Sequence, residues 1–150
     1  MISLQRGNLE DAETLLQQAL SIDRRLGRLE GMANHYGHLG TLNRLRANAA
    51  AAEEMLNRAL EINEQLGRLK GQAENYSEIA FLRCDRGDLD GAERLLRTAL
   101  SLDEQLGRTD GMARRYAQLA DVYRLRGELR PAQALLERAR DLRAKAGQFL

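Results

Sequence analysis

The sequence predicts an all-α solenoid of antiparallel helix hairpins, and three observations carry that prediction. The first is composition: 43% of the chain is apolar but only 4% aromatic, with one proline in 150 residues. Ala, Leu, Glu, Arg and Gln dominate the remainder, which are residues that lose little freedom in a helix. The second is a period of forty residues that needs no insertion or deletion. Gly27, Gly67, Gly107 and Gly147 fall in register, as do Gly31, Gly71 and Gly111, Ala33, Ala73 and Ala113, and Tyr36, Tyr76 and Tyr116. The third is that each period holds two amphipathic runs at helical spacing, separated by turn residues.

The elements follow in order. A partial helix at 1–6 is expected to stop at Gly7, with Asn8 capping a helix near 9–26. Helices are then predicted near 30–46, 49–66, 70–86, 89–106, 110–126 and 129–146. In the fifth full run, Leu89, Ala92, Leu96, Ala99, Leu100 and Leu106 form the apolar stripe, with Arg94, Arg97 and Asp103 among the polar positions between them. Gly87 before Asp88 supplies a left-handed stop and a carboxylate N-cap. Gly67 and Gly107 end the longer helices in the same way, whereas Ala47 stands where the other copies have glycine. Pro131 falls in the first turn of its helix, where the missing N–H costs little. Glycines every forty residues would break a continuous coiled coil. The small residues Ala52, Ala92, Ala132, Gly40, Ala80 and Ala120 are read as close helix contacts, with Leu and Tyr filling the space beside them.

Composition also bounds function. Twenty-three basic and twenty-two acidic residues leave a net charge of +1, so no global field draws the chain to nucleic acid or an anionic membrane. Residues 111–150 carry nine Arg or Lys against four Asp or Glu, but acidic residues interleave them and no exposed aromatic set for base stacking is evident. Nucleic acid is therefore disfavoured as a partner. Cys84 is the single cysteine, which excludes an intrachain disulfide, and no run is apolar and long enough to cross a bilayer. A cytoplasmic protein without membrane contact is expected.

The segment "YSEIAFLRCDRGDLDGAERLLRTAL" resembles the tetratricopeptide repeat family. Tyr76, Ile79 and Ala80 match its aromatic, aliphatic and small positions, Gly87 its turn glycine, and Ala92, Leu96 and Ala99 its second-helix signature. The pattern recurs at Tyr116, Leu119, Ala120, Gly127, Ala132, Leu136 and Ala139, and at Tyr36, Leu39, Gly40, Ala52, Leu56 and Ala59. The second helix is prolonged by "EQLGR", as in the forty-residue repeats of kinesin light chains, of G-protein-modulator scaffolds and of bacterial regulators. On this resemblance the chain is one domain, with a half repeat at 1–26, repeats at 27–66, 67–106 and 107–146, and a tail at 147–150.

The resemblance further implies a right-handed superhelix whose first helices line a concave groove that takes a peptide or partner segment. By family correspondence the groove positions are Asn34, His38, Thr41 and Arg44, then Glu74, Ser77, Glu78 and Phe81, then Arg114, Gln118, Asp121 and Arg124. The Lys and Asn clamp of the chaperone-binding subclass is missing, since Gly37, Thr41 and Ser77 occupy those places. Glu74 and Glu78 between Arg44 and Arg114 predict a ligand with basic residues near its middle.

No catalytic constellation, metal site or cofactor is predicted. His35 and His38 are too few to hold a metal, and their counterparts are Asn75, Glu78, Arg115 and Gln118. Nothing matches a phosphate loop, a dinucleotide fingerprint or a nucleophile elbow. The expected function is a non-catalytic adaptor or scaffold. The alternative is a structural or self-associating repeat module without a peptide ligand: the helix at 9–26 lacks most of its hairpin partner, so the expectation is either a piece of a longer repeat array, part of a larger regulator, or an open N-terminal end that packs on another copy.

Overall fold

The computed structural model describes residues 2–147, with side chains from 7 onward. Seven α-helices follow one another: α1 (Ile2–Leu26), α2 (Leu29–Leu45), α3 (Ala49–Leu66), α4 (Leu69–Asp85), α5 (Leu89–Leu106), α6 (Thr109–Leu125) and α7 (Leu129–Gly147). Among the described residues there is no strand. The chain divides after Arg68 into two compact units. In the first, α1 packs on α2 and α2 pairs with α3; in the second, α4 pairs with α5, α5 packs on α6, and α6 pairs with α7. Connections of two or three residues force each pair to run antiparallel.

Local chemistry accounts for the turns. Gly107 has φ +66°, and the Arg108 N–H reaches back to the Asp103 carbonyl at 2.9 Å, closing the last turn of α5 in a Schellman motif. The Asp88 side chain accepts from the Gly91 N–H at 3.0 Å, so α5 starts on a carboxylate cap. Asn48 caps α3 more loosely, accepting from the Ala51 N–H at 3.3 Å. The turn before it is strained. Ala47 sits at φ +58°, where the other hairpins have Gly87 at +82° and Gly127 at +81°.

One expected turn does not form. Gly7 and Asn8 lie inside α1, which runs unbroken from Ile2 to Leu26. At Gly87 a full helix on each side packs against the other and holds the chain in its turn. At Gly7 helix propagation gains one hydrogen bond per residue, and a single glycine in a helix interior costs only about 1 kcal/mol.

Each unit has its own core. In the first, Leu20, Ala33, Tyr36, Leu39, Ala59 and Ile62 cluster, and a methyl group on Gly40 would come within 2.6 Å of the Leu56 Cγ, which confirms the close contact expected there. In the second, Ala80, Ala92, Leu96, Leu119 and Val122 are at most 3% exposed. Tyr36 and Tyr116 are buried as expected, while Tyr76 is half-buried and Leu106 lies exposed. The last helix buries Ala132 and Ala139, and leaves Leu129 and Leu136 exposed among its polar residues.

A polar cluster links α5 to the end of α6. Glu93 accepts from Tyr123 Oη at 2.7 Å, from Arg126 Nη1 at 2.6 Å and from Arg97 Nε at 2.9 Å. Partial burial pushes the Glu93 carboxyl up, but the hydrogen bonds from Tyr123, Arg126 and Arg97 outweigh it and hold its pKa at about 2. The same pairing occurs in the first unit, between Glu13 of α1 and Arg46 at the end of α2.

Two outcomes follow. Ala47→Gly should stabilise the first unit by about 0.5–1 kcal/mol in chemical denaturation, because relief of the left-handed strain exceeds the added freedom of the unfolded chain. Glu93→Gln should destabilise by about 1 kcal/mol at pH 7, discounted for the partial exposure of the cluster. The folded pKa lies below the ordinary 4.5, so this stability is fully present above about pH 4.5 and drains away as pH falls toward 2. Melting curves of the two proteins should therefore converge at acid pH, and a constant difference across that range would contradict the assignment.

Candidate functional site

The most organised polar structure of the second unit begins at Asp103, in the last turn of α5. Its position among the apolar residues of that helix predicts a place on the outer side, but the side chain is 0% exposed. Gly111 explains how α6 comes so close: a Cβ there would sit 2.7 Å from the Asp103 carboxylate. Asp103 accepts from Arg115 Nε and from Arg108 Nη1, each at 3.0 Å. Arg115 is itself only 1% exposed.

From Arg115 the network spreads to α4. Its Nη1 donates to Ser77 Oγ at 3.2 Å and to Gln118 Oε1 at 3.1 Å, and Ser77 Oγ donates to Gln118 Oε1 at 2.9 Å. Its Nη2 lies 3.3 Å from Glu74 Oε1, which also faces Arg108 at 3.6 Å and Arg114 at 3.8 Å. Two ions taken this far from water are costly unless they are paired and hydrogen-bonded; here Nε and Nη1 are hydrogen-bonded, while the buried Nη2 meets Glu74 as an ion pair without a hydrogen bond.

Ser77 and Gln118 also form part of the wall of a cleft between α4 and α6. Ala80 and Leu96 lie in it, Phe81 and Leu125 lie along its exposed edges, and Cys84, Asp85 and Asp121 complete the lining. Its volume is about 180 Å³, well below the roughly 300–1,000 Å³ of small-molecule sites and suited to one side chain. Burial pushes the Cys84 thiol up, and Asp85, Asp121 and Asp88 push it further. The thiol is thus protonated at neutral pH, and the charged groups that line the cleft beside it are the carboxylates of Asp85 and Asp121.

The residues nominated from sequence divide accordingly. Ser77, Phe81, Gln118 and Asp121 come together in the cleft. Glu74 belongs to the arginine cluster instead. Glu78 is half-buried on α4, Arg114 pairs with Asp110 at 3.4 Å, and Arg124 pairs with Asp121. In the first unit, Asn34 and His38 are exposed on α2, Arg44 is half-buried, and Thr41 Oγ1 donates to the Gly37 carbonyl of its own helix at 3.3 Å. Asp85 and Leu125 were not nominated. Both stand four residues beyond a nominated position, Phe81 and Asp121, so the helical spacing that groups neighbours on one face was the available signal.

His35 has a structural partner: its Nε2 lies 2.9 Å from the Asp23 carboxylate of α1. Among the described residues no group of three His, Cys, Asp or Glu is placed to hold a metal ion. No helix among them is long and apolar enough to cross a membrane.

Comparison with known proteins places this geometry. A tetratricopeptide repeat family model matches residues 1–65 and 71–145. A search of curated protein sequences returned no match. Among solved structures, BtubC (BKLC) from P. vanneervenii superposes with a TM-score of 0.83 at 23% identity, over 94% of this chain and 59% of that one. This chain thus spans about three fifths of BtubC. A kinesin-light-chain-type protein of Podosopora anserina with nearly identical TPR-like repeats gives 0.75 at 22% identity, covering 97% of this chain and 71% of that one. MamA gives 0.65 at 19% identity, covering 98% and 85%. Identities this low establish fold alone, but the family model and the repeated hairpins agree, and the chain belongs to the tetratricopeptide repeat family.

Proposed function

We propose that the chain is a non-catalytic binding module that takes a peptide or partner segment on the face formed by α4 and α6. Repeats of this family are generally protein-interaction modules. The observation that carries the proposal is the α4–α6 cleft, an indentation of side-chain size with an apolar interior and an exposed Phe81 beside it. Shape and lining of that kind suit an anchor residue of an extended partner. Asn34, His38, Thr41 and Arg44 offer a second set of contacts on α2. The role is that of an adaptor or assembly scaffold, and the cytoplasm is the proposed setting.

The charge preference of the ligand is moved from Glu74 to the cleft. Glu74 already faces Arg108, Arg114 and Arg115, so reversing its charge would disturb the buried network and blur any binding measurement. Phe81 and Leu125 are 39% and 62% exposed, so they can be changed without touching the core.

A different observation favours self-association as a second reading. On α1, Leu15 and Ile22 are 66% and 46% exposed, whereas their counterparts one repeat on, Met55 and Ile62, pack in the core of the first unit. An apolar stripe of this kind is a candidate contact for another copy of the chain.

Linear peptides selected from a random displayed library should bind the wild-type protein and lose at least about tenfold in affinity on Phe81→Ser with Leu125→Ser. Failure to select any peptide, or selection of peptides indifferent to both changes, would remove the binding face. Light scattering tests the second reading: Leu15→Glu with Ile22→Lys should convert an associated form to monomer. A wild type that stays monomeric at its highest attainable concentration excludes it.

A further inference from the structure

The cleft has a chemical signature more specific than shape. Its only charged lining groups are two carboxylates, Asp85 and Asp121, while Ala80, Leu96, Phe81 and Leu125 make its other surfaces apolar. Asp121 is paired with Arg124, which lies outside the lining, so the second carboxylate leaves an excess of negative charge there. The polar groups Ser77 and Gln118 are hydrogen-bonded to each other and to Arg115, and so are committed within the protein.

From this arrangement we infer that the cleft receives one basic side chain, Lys or Arg, of a bound peptide. The inference rests on the peptide-binding reading given above. The aliphatic stem lies against Ala80, Leu96 and Phe81, and the cation reaches the carboxylates of Asp85 and Asp121. Long basic side chains combine these two demands, burying their methylenes while the charged end stays at the edge. A purely aliphatic side chain would satisfy the apolar walls but leave the excess negative charge at the edge unanswered. An acidic one would meet like charge.

Methyl NMR titration with four peptides, acetyl-Ala-Ala-X-Ala-Ala-amide with X as Lys, Arg, norleucine or Glu, tests the assignment. The Lys and Arg peptides should shift the methyl resonances of Ala80, Leu96 and Leu125 saturably. The norleucine peptide, which keeps the Lys stem and lacks its cation, should bind at least about tenfold more weakly, and the Glu peptide weaker still. Asp85→Asn with Asp121→Asn should abolish the difference between Lys and norleucine, and both positions are exposed, so the fold is expected to survive. Equal binding of norleucine and Lys, or no methyl response to either basic peptide, would overturn the inference. Library peptides that need Phe81 but contain no basic residue would also overturn it while leaving the binding face in place; failure of the library selection removes both.

Discussion

The buried ion pair between Asp103 and Arg115 is the constraint on which the second unit depends. It joins the end of α5 to α6, and through Ser77 and Gln118 it ties α4 to α6 across the helix α5 on which both pack. The cleft between those helices is therefore the visible edge of an interior electrostatic structure. Apolar packing alone would leave helices free to slide by small amounts at little cost. A guanidinium with five donors in a fixed plane allows far fewer arrangements, so the walls of the cleft are held more narrowly.

The first unit uses the same position with a different partner. Asp23 is buried, faces His35 at 2.9 Å and lies 3.9 Å from Arg28. A Cβ on Gly31 would come within 2.2 Å of its carboxylate, so the missing side chain again admits the acid. Asn63 is buried too, and its side chain accepts from Arg68 Nη1 at 3.2 Å. Each copy thus places a buried polar residue at the end of its second helix, an arginine five residues later and a glycine at the start of the next helix. The charge at the first of these positions is not uniform, since Asn63 replaces an aspartate. The network that reaches a cleft is the one that combines Asp103 with Arg115.

Much of this was legible in the sequence and some was not, for physical reasons. Turn glycines, caps and small contact residues act locally, and a forty-residue period read four times leaves little freedom in placing them. The burial of Asp103 was hidden because a charged residue between apolar ones ordinarily faces water, and only a tertiary neighbour without a side chain, Gly111, reverses that. The recurrence of Asp23, Asn63 and Asp103 with Arg28, Arg68 and Arg108 was a signal of it. The groove assignment by family correspondence brought four nominated residues into the cleft, Ser77, Phe81, Gln118 and Asp121. It did not separate cleft-lining acids from those in the arginine cluster, because Glu74 and Asp121 look alike until the arginines around Glu74 are in place. At Gly7 a turn signal failed, since one glycine costs a helix only about 1 kcal/mol and does not by itself stop it.

A double-mutant cycle at Asp103 and Arg115, followed by urea denaturation, tests the central claim most directly. Asn serves as the replacement at both positions because the sequence carries Asn63 and Asn75 at the equivalent places. Each single change leaves a buried charge short of its partner and should cost about 3 kcal/mol or more. The double change removes both charges and should cost less than the sum of the two by about 2 kcal/mol. Additive losses, with a coupling below about 0.5 kcal/mol, would mean that the pair does not organise the α4–α6 face.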